Sequence, residues 1–309
     1  FFFVSLISVY WWQMTGQQMD KVTSFSSGLP KGERDAEAHD NANGLEQSKD
    51  PLRPLGGDDG IMVWQQTSQC CRCFCCLPNV HWVLHPPEPD WAPGQPLPTI
   101  GFVEEEAEFL GRCCTFFYPG SRPTKYTVYD GHDNTGKKVA THEKGWSCSP
   151  WPWVPPDPRV RIPWCCCLPQ LETKDADGKR LGRSQYVVDD ACVCVPKFDV
   201  EGPTGEVKYR LSPDTCVMGM CVRCRCGGQG GNCLRVPYKI RQPKPSQQQM
   251  GGAEICDLWS GMKQECCTAR NMWRITYPDL NGESAEDAEA IRQTLVGATL
   301  LLDMSLVGN

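Results

Sequence analysis

The amino-acid sequence predicts a mainly β fold, in which many short antiparallel strands are followed by one apolar helix near the C-terminal end. Glycine (29 residues) and proline (26) interrupt the chain every few residues, which suits short strands better than long helices. Several segments alternate apolar and polar side chains with a period of two. The strand-helix-strand rhythm of about 30 residues that a parallel sheet needs is not apparent.

The clearest strand prediction is a β-hairpin in residues 198–211. Phe198 and Val200 alternate with polar residues, a Gly-Pro-Thr-Gly turn follows, and residues 207–211 alternate again. Other segments also alternate or are rich in β-branched and aromatic residues. The further predicted strands are residues 125–130, 159–162 and 234–240.

One helix is predicted, close to the C-terminal end. Ser284 followed by Asp287 resembles a capping box, and acidic residues in a first turn favour the helix dipole. From Leu295 the chain reads LVGATLLL, apolar on every side, so it is buried in a protein core or in a membrane. This apolar run ends at Asp303, well short of the roughly 20 residues that span a bilayer. We therefore expect residues 289–302 to form a helix enclosed by strands from residues 100–280.

Three regions are expected along the chain. Residues 1–60 are polar after a short apolar start and are predicted to be a disordered or non-native N-terminal region. Residues 61–98 hold a cysteine cluster and then many prolines, and are predicted to be a linker. Residues 99–309 are predicted to form the β domain.

Composition excludes some functions. A formal net charge of -6 argues against a general nucleic-acid binder, which is usually basic. The 21 cysteines are odd in number and many are adjacent, which is unfavourable for disulfide geometry. We therefore expect a reduced, cytosol-facing protein whose cysteines serve acylation, metal binding or packing. We find no nucleophile elbow, P-loop or metalloprotease motif, and no catalytic residue is predicted.

Several pieces of residues 99–309, in their order and spacing, resemble the phospholipid scramblase family. They are IGFVEEEAEFLGRCCTFFYPGSRP (100–123), CCCLPQLETKDADGKRLG (165–182), Pro-Lys-Phe (196–198), CVRCRCGG (221–228), Trp-x-Gly (259–261), Ile-x-Tyr-Pro (275–278) and LVGATLLLD (295–303). The resemblance implies a tubby-like fold: a closed antiparallel barrel of about twelve strands around a hydrophobic C-terminal helix.

The same resemblance implies a function. It is bidirectional movement of phospholipids between membrane leaflets, with membrane phospholipids as partners and no bond chemistry. The expected location is the cytoplasmic face of the plasma membrane or an endomembrane. Two alternatives stay open. One is an acylated scaffold or regulatory protein without transport, and the other is a zinc-binding module using Cys221, Cys224, Cys226 and Cys233.

The family's lipidated cluster matches Cys165, Cys166 and Cys167, so the resemblance implies covalent palmitate there. The alternative from the residues alone is a strand that packs its cysteines as small apolar side chains. A second cluster in residues 70–76 is either another acylation site or unmodified.

Residues 215–280 contain two further candidate sites. Residues 215–253 contain no acidic residue and carry basic side chains that could face either anionic lipid headgroups or water. The headgroup candidates among them are Arg223, Arg225, Arg235 and Lys239. The family's calcium segment matches residues 268–280, where Asn271 and Asp279 are the remaining oxygen-bearing candidates. Calcium prefers six to eight oxygens, so we expect this calcium site to be weak or lost and the segment to be a strand.

Overall fold

The computed structural model describes residues 57, 59–66, 80–106, 122–147, 168–187, 195–216, 221–222, 235–259 and 271–307. All of them belong to one compact unit, Leu52–Asn309. The predicted N-terminal region, residues 1–60, therefore lies almost wholly outside the described residues, as does the predicted strand at 159–162.

Twelve strands form a closed antiparallel barrel. They are β1 (Gly60–Gln65), β2 (His81–His85), β3 (Gly101–Glu106), β4 (Thr124–Asp130), β5 (Lys137–Lys144), β6 (Gln170–Asp175), β7 (Arg180–Val187), β8 (Lys197–Glu201), β9 (Val207–Pro213), β12 (Val236–Arg241), β13 (Gln249–Leu258) and β14 (Met272–Thr276). A separate two-stranded sheet, β10 (Thr215–Cys216) with β11 (Cys221–Val222), lies in sequence between β9 and β12. The barrel closes where β1 pairs with both β2 and β14.

The period of two in the sequence sets which side chains enter the barrel. In the predicted hairpin, β8 and β9 pair with Phe198 opposite Leu211 and Val200 opposite Tyr209, and all four side chains are buried. Gly205 in the turn has a φ of 86°, which glycine adopts without strain. The hairpin prediction is confirmed, and so are strands in residues 125–130 and, from Val236 onward, in 234–240.

The helix α1 (Ala285–Leu302) fills the barrel and continues into a π-helical turn, Asp303–Val307. At its N-terminus the Ser284 side chain accepts a hydrogen bond from the Asp287 backbone N–H, as the capping pattern predicted. The segment from Leu295 to Leu302 is buried on every side and belongs to the main core. The prediction of a helix enclosed by strands is therefore confirmed. In the part of the chain that the structure describes, no helix is long and apolar enough to cross a membrane.

The barrel begins earlier in the chain than the sequence indicated. β1 and β2 both come from residues 61–98, the segment predicted to be a linker. In β1, Ile61 and Val63 belong to the main core, whereas Met62 belongs to a second core on the outer face. With apolar residues on both faces, β1 does not show the alternation by which other strands were recognised.

The proline-rich part of the predicted linker is a strap across the outside of the barrel. We call residues 86–98 the strap. Its Trp91 is 3% exposed and packs with Met62, Cys256, Leu258 and Met272. The Arg274 guanidinium donates a hydrogen bond to the backbone carbonyl of Pro89, 3.1 Å away. The strap therefore belongs to the folded domain, whose described part starts near Gly60.

Candidate functional site

All but one of the cysteines of this protein fall in connections that join strands at the same end of the barrel. Consecutive antiparallel strands are joined alternately at the two ends, so the parity of a connection fixes its end. We call one of these ends the cysteine end. Its six connecting stretches are residues 66–80, 107–123, 145–169, 188–196, 214–235 and 259–271.

All cysteines but Cys256 lie in these six stretches, which gives 21 − 1 = 20 of the 21. The connections at the opposite end, by contrast, are mostly polar turns, such as ADGK at 176–179 and GPTGE at 202–206, and contain no cysteine. Cys165, Cys166 and Cys167 lie outside the described residues, in the connection between β5 and β6. The same holds for the cluster at 70–76, between β1 and β2.

Cys256, in contrast, lies on β13 beneath the strap. Its thiol is fully buried, and burial raises its pKa to about 12, so almost no thiolate forms near neutral pH. Cys256 therefore serves as a small apolar side chain in the outer core. The segregation of the others was missed at the sequence level, because it depends on the number and pairing of the strands.

A described aromatic residue also marks the cysteine end. Trp146 follows β5 directly and is 66% exposed, although large apolar side chains are otherwise nearly all covered in the described residues. Tryptophan with one face in water and one apolar face is favoured at membrane–water interfaces.

Inside the barrel, a group of polar side chains lies at the cysteine end. We call Glu105, Arg122, Thr124 and Lys144 the basic lumen cluster. All four are at most 5% exposed. Arg122 Nη2 donates to Glu105 Oε1, and Glu105 Oε2 accepts from the Val80 backbone N–H at 2.9 Å. Lys144 Nζ donates to the backbone carbonyls of Arg122 (2.9 Å) and Gly145 (3.2 Å).

The ammonium of Lys144 is destabilised by these surroundings. Burial, and secondarily the positive charge of Arg122, lower its pKa from 10.5 to about 7. Sequence reasoning missed this cluster, because Lys144 reads as the polar end of an ordinary strand and Arg122 as a loop residue.

Deeper in the barrel, His142 lies against α1. Its Nδ1 is 3.0 Å from Thr173 Oγ1, and burial lowers its pKa to about 3, so the imidazole is neutral. Gly297 of α1 faces this pair so closely that a Cβ atom there would lie 2.8 Å from His142 Nδ1. At Gly297, α1 thus packs closely against a neutral polar pair on β5 and β6.

The two predicted calcium ligands have separate surroundings. Asn271 is buried, and its amide Nδ2 donates to Asp303 Oδ1 at 2.6 Å, an oxygen that also accepts from Trp273 Nε1 at 3.0 Å. Asp279 is exposed and accepts from the Asn281 backbone N–H at 3.0 Å. The strand β14 separates the two, a span of roughly 16 Å for five extended residues. The structure therefore does not bring Asn271 and Asp279 together.

The strand reading of this segment is confirmed. β14 places Ile275 in the main core, and Tyr277 follows it there. Among the described residues, no three side chains of the types that commonly bind metals lie close enough to hold an ion. The prediction that calcium binding is weak or lost stays a prediction.

Of the predicted headgroup residues, Arg223 and Arg225 lie outside the described residues. Arg235 lies 3.6 Å from Glu254, and Lys239 lies 2.8 Å from Asp214. Both described cations thus have an acidic partner, which reduces the positive field they offer to a lipid surface.

Comparison with known proteins supports the family resemblance. No family model matches the chain, and no solved structure matches it. A curated protein, human phospholipid scramblase 1, is 27% identical over 206 residues, which is 66% of this chain and 51% of that protein. The chain thus spans about half the length of this relative.

The predicted barrel is present in full: twelve antiparallel strands closed around one apolar helix, as the tubby-like fold requires. The chain is therefore similar in sequence to human phospholipid scramblase 1, and its closed barrel around one apolar helix is the fold that this resemblance implies.

Proposed function

We propose that this protein is a phospholipid scramblase-like membrane protein that docks on the bilayer through its cysteine end. The observation that supports this most is the segregation of 20 of the 21 cysteines to the connections at that end. Attached acyl chains would all leave the barrel in one direction, and an exposed tryptophan lies at the same end. The opposite end, with its polar turns, would face water.

Acylation supplies the energy of this attachment. Each buried methylene contributes about 0.8 kcal/mol, and one acyl chain alone holds a protein only transiently, so stable anchoring takes two. Cys165, Cys166 and Cys167 provide three adjacent thiols for palmitate. Anchored at the cytoplasmic face of the plasma membrane or an endomembrane, the protein would exchange phospholipids between leaflets without making or breaking bonds.

The alternatives are less well supported. A zinc module on Cys221, Cys224, Cys226 and Cys233 would leave the other cysteine-bearing connections unexplained. A scaffold without transport shares the same barrel and anchor, so it differs in activity alone. Similarity to a scramblase favours transport over both.

Membrane attachment is tested by changing Cys165, Cys166 and Cys167 together to serine. We expect the variant to lose most acyl label in an acyl-exchange assay and to move from the membrane to the soluble fraction. The matched control is Cys256→Ala, which removes the one cysteine outside the cysteine end and should leave both readouts unchanged. A triple variant that stays fully on the membrane would show that these thiols are not the anchor.

Transport is tested separately in liposomes. Purified protein is reconstituted with fluorescent phospholipid, and a reductant that bleaches the outer leaflet reports exchange. Loss of more than half of the fluorescence supports transport, whereas a plateau at half, with protein shown to be bound, supports the scaffold. Repeating the assay with calcium and with a chelator tests the predicted weakness of the calcium site.

A further inference from the structure

The basic lumen cluster is buried and contains more cationic than anionic side chains. It contains the guanidinium of Arg122 and the ammonium of Lys144 but only one carboxylate, that of Glu105. Arg122 and Glu105 form an ion pair whose side chains are 6% and 0% exposed. Lys144 therefore has no carboxylate of its own within the cluster, and its partners are two neutral carbonyls.

Donor groups in this cluster are also unused. In the described part of the protein, Arg122 Nε and Thr124 Oγ1 are buried and have no hydrogen-bond partner. Both side chains are more than nine-tenths buried. A buried donor without a partner costs about 1–3 kcal/mol, so such groups in a native protein call for an explanation.

The cluster lies near one end of the barrel. Thr124 is the first residue of β4 and Lys144 is the last residue of β5, and the two are paired in the sheet. Thr124 and Tyr126 share the lumen face, and the Tyr126 hydroxyl contacts Met304 beyond the helix. The cluster thus lies at the rim, past the end of α1.

The excess positive charge can be neutralised in two ways: Lys144 can lose its proton, or an anion can bind. Proton loss leaves the donors of Arg122 and Thr124 unused, whereas an oxyanion would accept from them and from Lys144 together. We propose that Arg122, Thr124 and Lys144 form a binding site for a phosphate oxyanion at the cysteine end of the lumen.

Guanidinium, ammonium and hydroxyl groups are the usual protein ligands of phosphate. The phosphate could belong to a phospholipid headgroup or be free in solution. The lipid source rests on the proposed function, because only a barrel docked through its cysteine end brings headgroups to this rim. The site itself does not depend on transport.

The test is calorimetric titration of the purified full chain. One titrant is inorganic phosphate, and the other is dihexanoyl phosphatidic acid below its micelle concentration, each against sodium chloride of equal ionic strength. We expect saturable binding of both. Binding of inorganic phosphate alone would support the site and assign it to free phosphate.

Lys144→Met keeps a long side chain and removes the charge, and we expect it to weaken binding by about tenfold or more, as for loss of a charge-assisted hydrogen bond. The matched control is Lys174→Met on the neighbouring strand β6, whose ammonium pairs with Glu143 on the outer face. It should bind like the unchanged protein. If circular dichroism shows that Lys144→Met does not fold, Thr124→Val, nearly equal in shape, replaces it and should also weaken binding.

Absence of saturable binding in the unchanged protein would overturn this inference. Equal binding by Lys144→Met or Thr124→Val and the control would overturn it as well. Either result can occur while membrane residence still depends on Cys165, Cys166 and Cys167, so failure of the site is distinguishable from failure of the proposed function.

Discussion

At the scale of single residues, Gly297 marks a close contact between the helix and the sheet. This glycine lies in the middle of α1, where alanine would normally be preferred by about 1 kcal/mol. Its missing side chain lets α1 approach β5 and β6, and a Cβ atom would lie 2.8 Å from His142 Nδ1, 2.9 Å from Thr173 Oγ1 and 3.0 Å from Leu171 Cδ2. Steric fit therefore overrides helix propensity at this position.

Gly297→Ala should consequently destabilise the protein, by about 1–3 kcal/mol as for an overpacked core, although the same change favours an isolated helix. The free energy of unfolding in urea measures this. Gly282→Ala is the control, because a Cβ atom there would meet nothing within 4 Å. A stabilised Gly297→Ala variant would mean that α1 can move away from β5 without cost.

Lys144 predicts a pH dependence of stability. Its pKa is about 7 in the folded protein and 10.5 in the unfolded chain, so between these values the unfolded chain binds more protons. Stability should therefore rise as pH increases from about 7 to 10, by at most about 1.4 kcal/mol per pH unit from this group. Urea unfolding at several pH values should show that slope in the unchanged protein and a smaller slope in Lys144→Met. If stability changed with pH equally in both proteins, burial would not lower the pKa of Lys144.

At the scale of elements, the strap is the segment whose packing on the barrel was not predicted from the sequence. Its prolines predicted an extended linker, and the chain there is indeed extended, but Trp91 fixes it over an outer apolar face. This outer face is apolar because β1, β13 and β14 each carry apolar residues on both sides of the sheet. The apolar pattern of one strand does not show which distant segment, here the strap, will cover it.

Trp91→Ala should loosen the strap and uncover Cys256. Alkylation of Cys256, followed by peptide mass mapping, should become faster, and stability should fall by about 3 kcal/mol. Trp146→Ala serves as the control, because Trp146 is already 66% exposed and its loss should change neither quantity. Unchanged alkylation in Trp91→Ala would indicate that the strap does not protect the thiol.

The sequence predicted the elements with regular patterns and missed those without them. The hairpin of β8 and β9 and the capped helix follow local rules, which a single sequence displays. The closed barrel came from the family resemblance, since closure pairs β1 with β14 across most of the chain. The basic lumen cluster could not be predicted, because a buried lysine and a surface lysine look alike until the strands are placed.

At the scale of the whole molecule, one apolar helix lies at the centre of the core. Leu295, Leu300, Leu301 and Leu302 are at most 1% exposed, and they pack with buried side chains of the strands. The barrel without the helix would enclose an empty apolar space, so barrel and helix should unfold together.

Leu300→Asp should therefore unfold the entire domain. Burying an unpaired carboxylate costs several kcal/mol, against a total stability of about 5–15 kcal/mol for a typical domain. Circular dichroism and a thermal melt report this, with Leu300→Met as the volume-conserving control. A cooperative melt for Leu300→Asp near that of the control would place Leu300 outside the core.

The late position of α1 in the chain has a consequence for synthesis. Strands leave the ribosome first, and they can pair with their neighbours, but the sheet cannot close before β14 has appeared. The helix that fills it follows every one of these strands in the chain. Until the helix has been made, the nascent chain presents the concave apolar side of an open sheet, and contacts of long sequence separation must wait for α1. A chain stalled before Ala285 would thus have every strand of the barrel but would lack the helix that fills it.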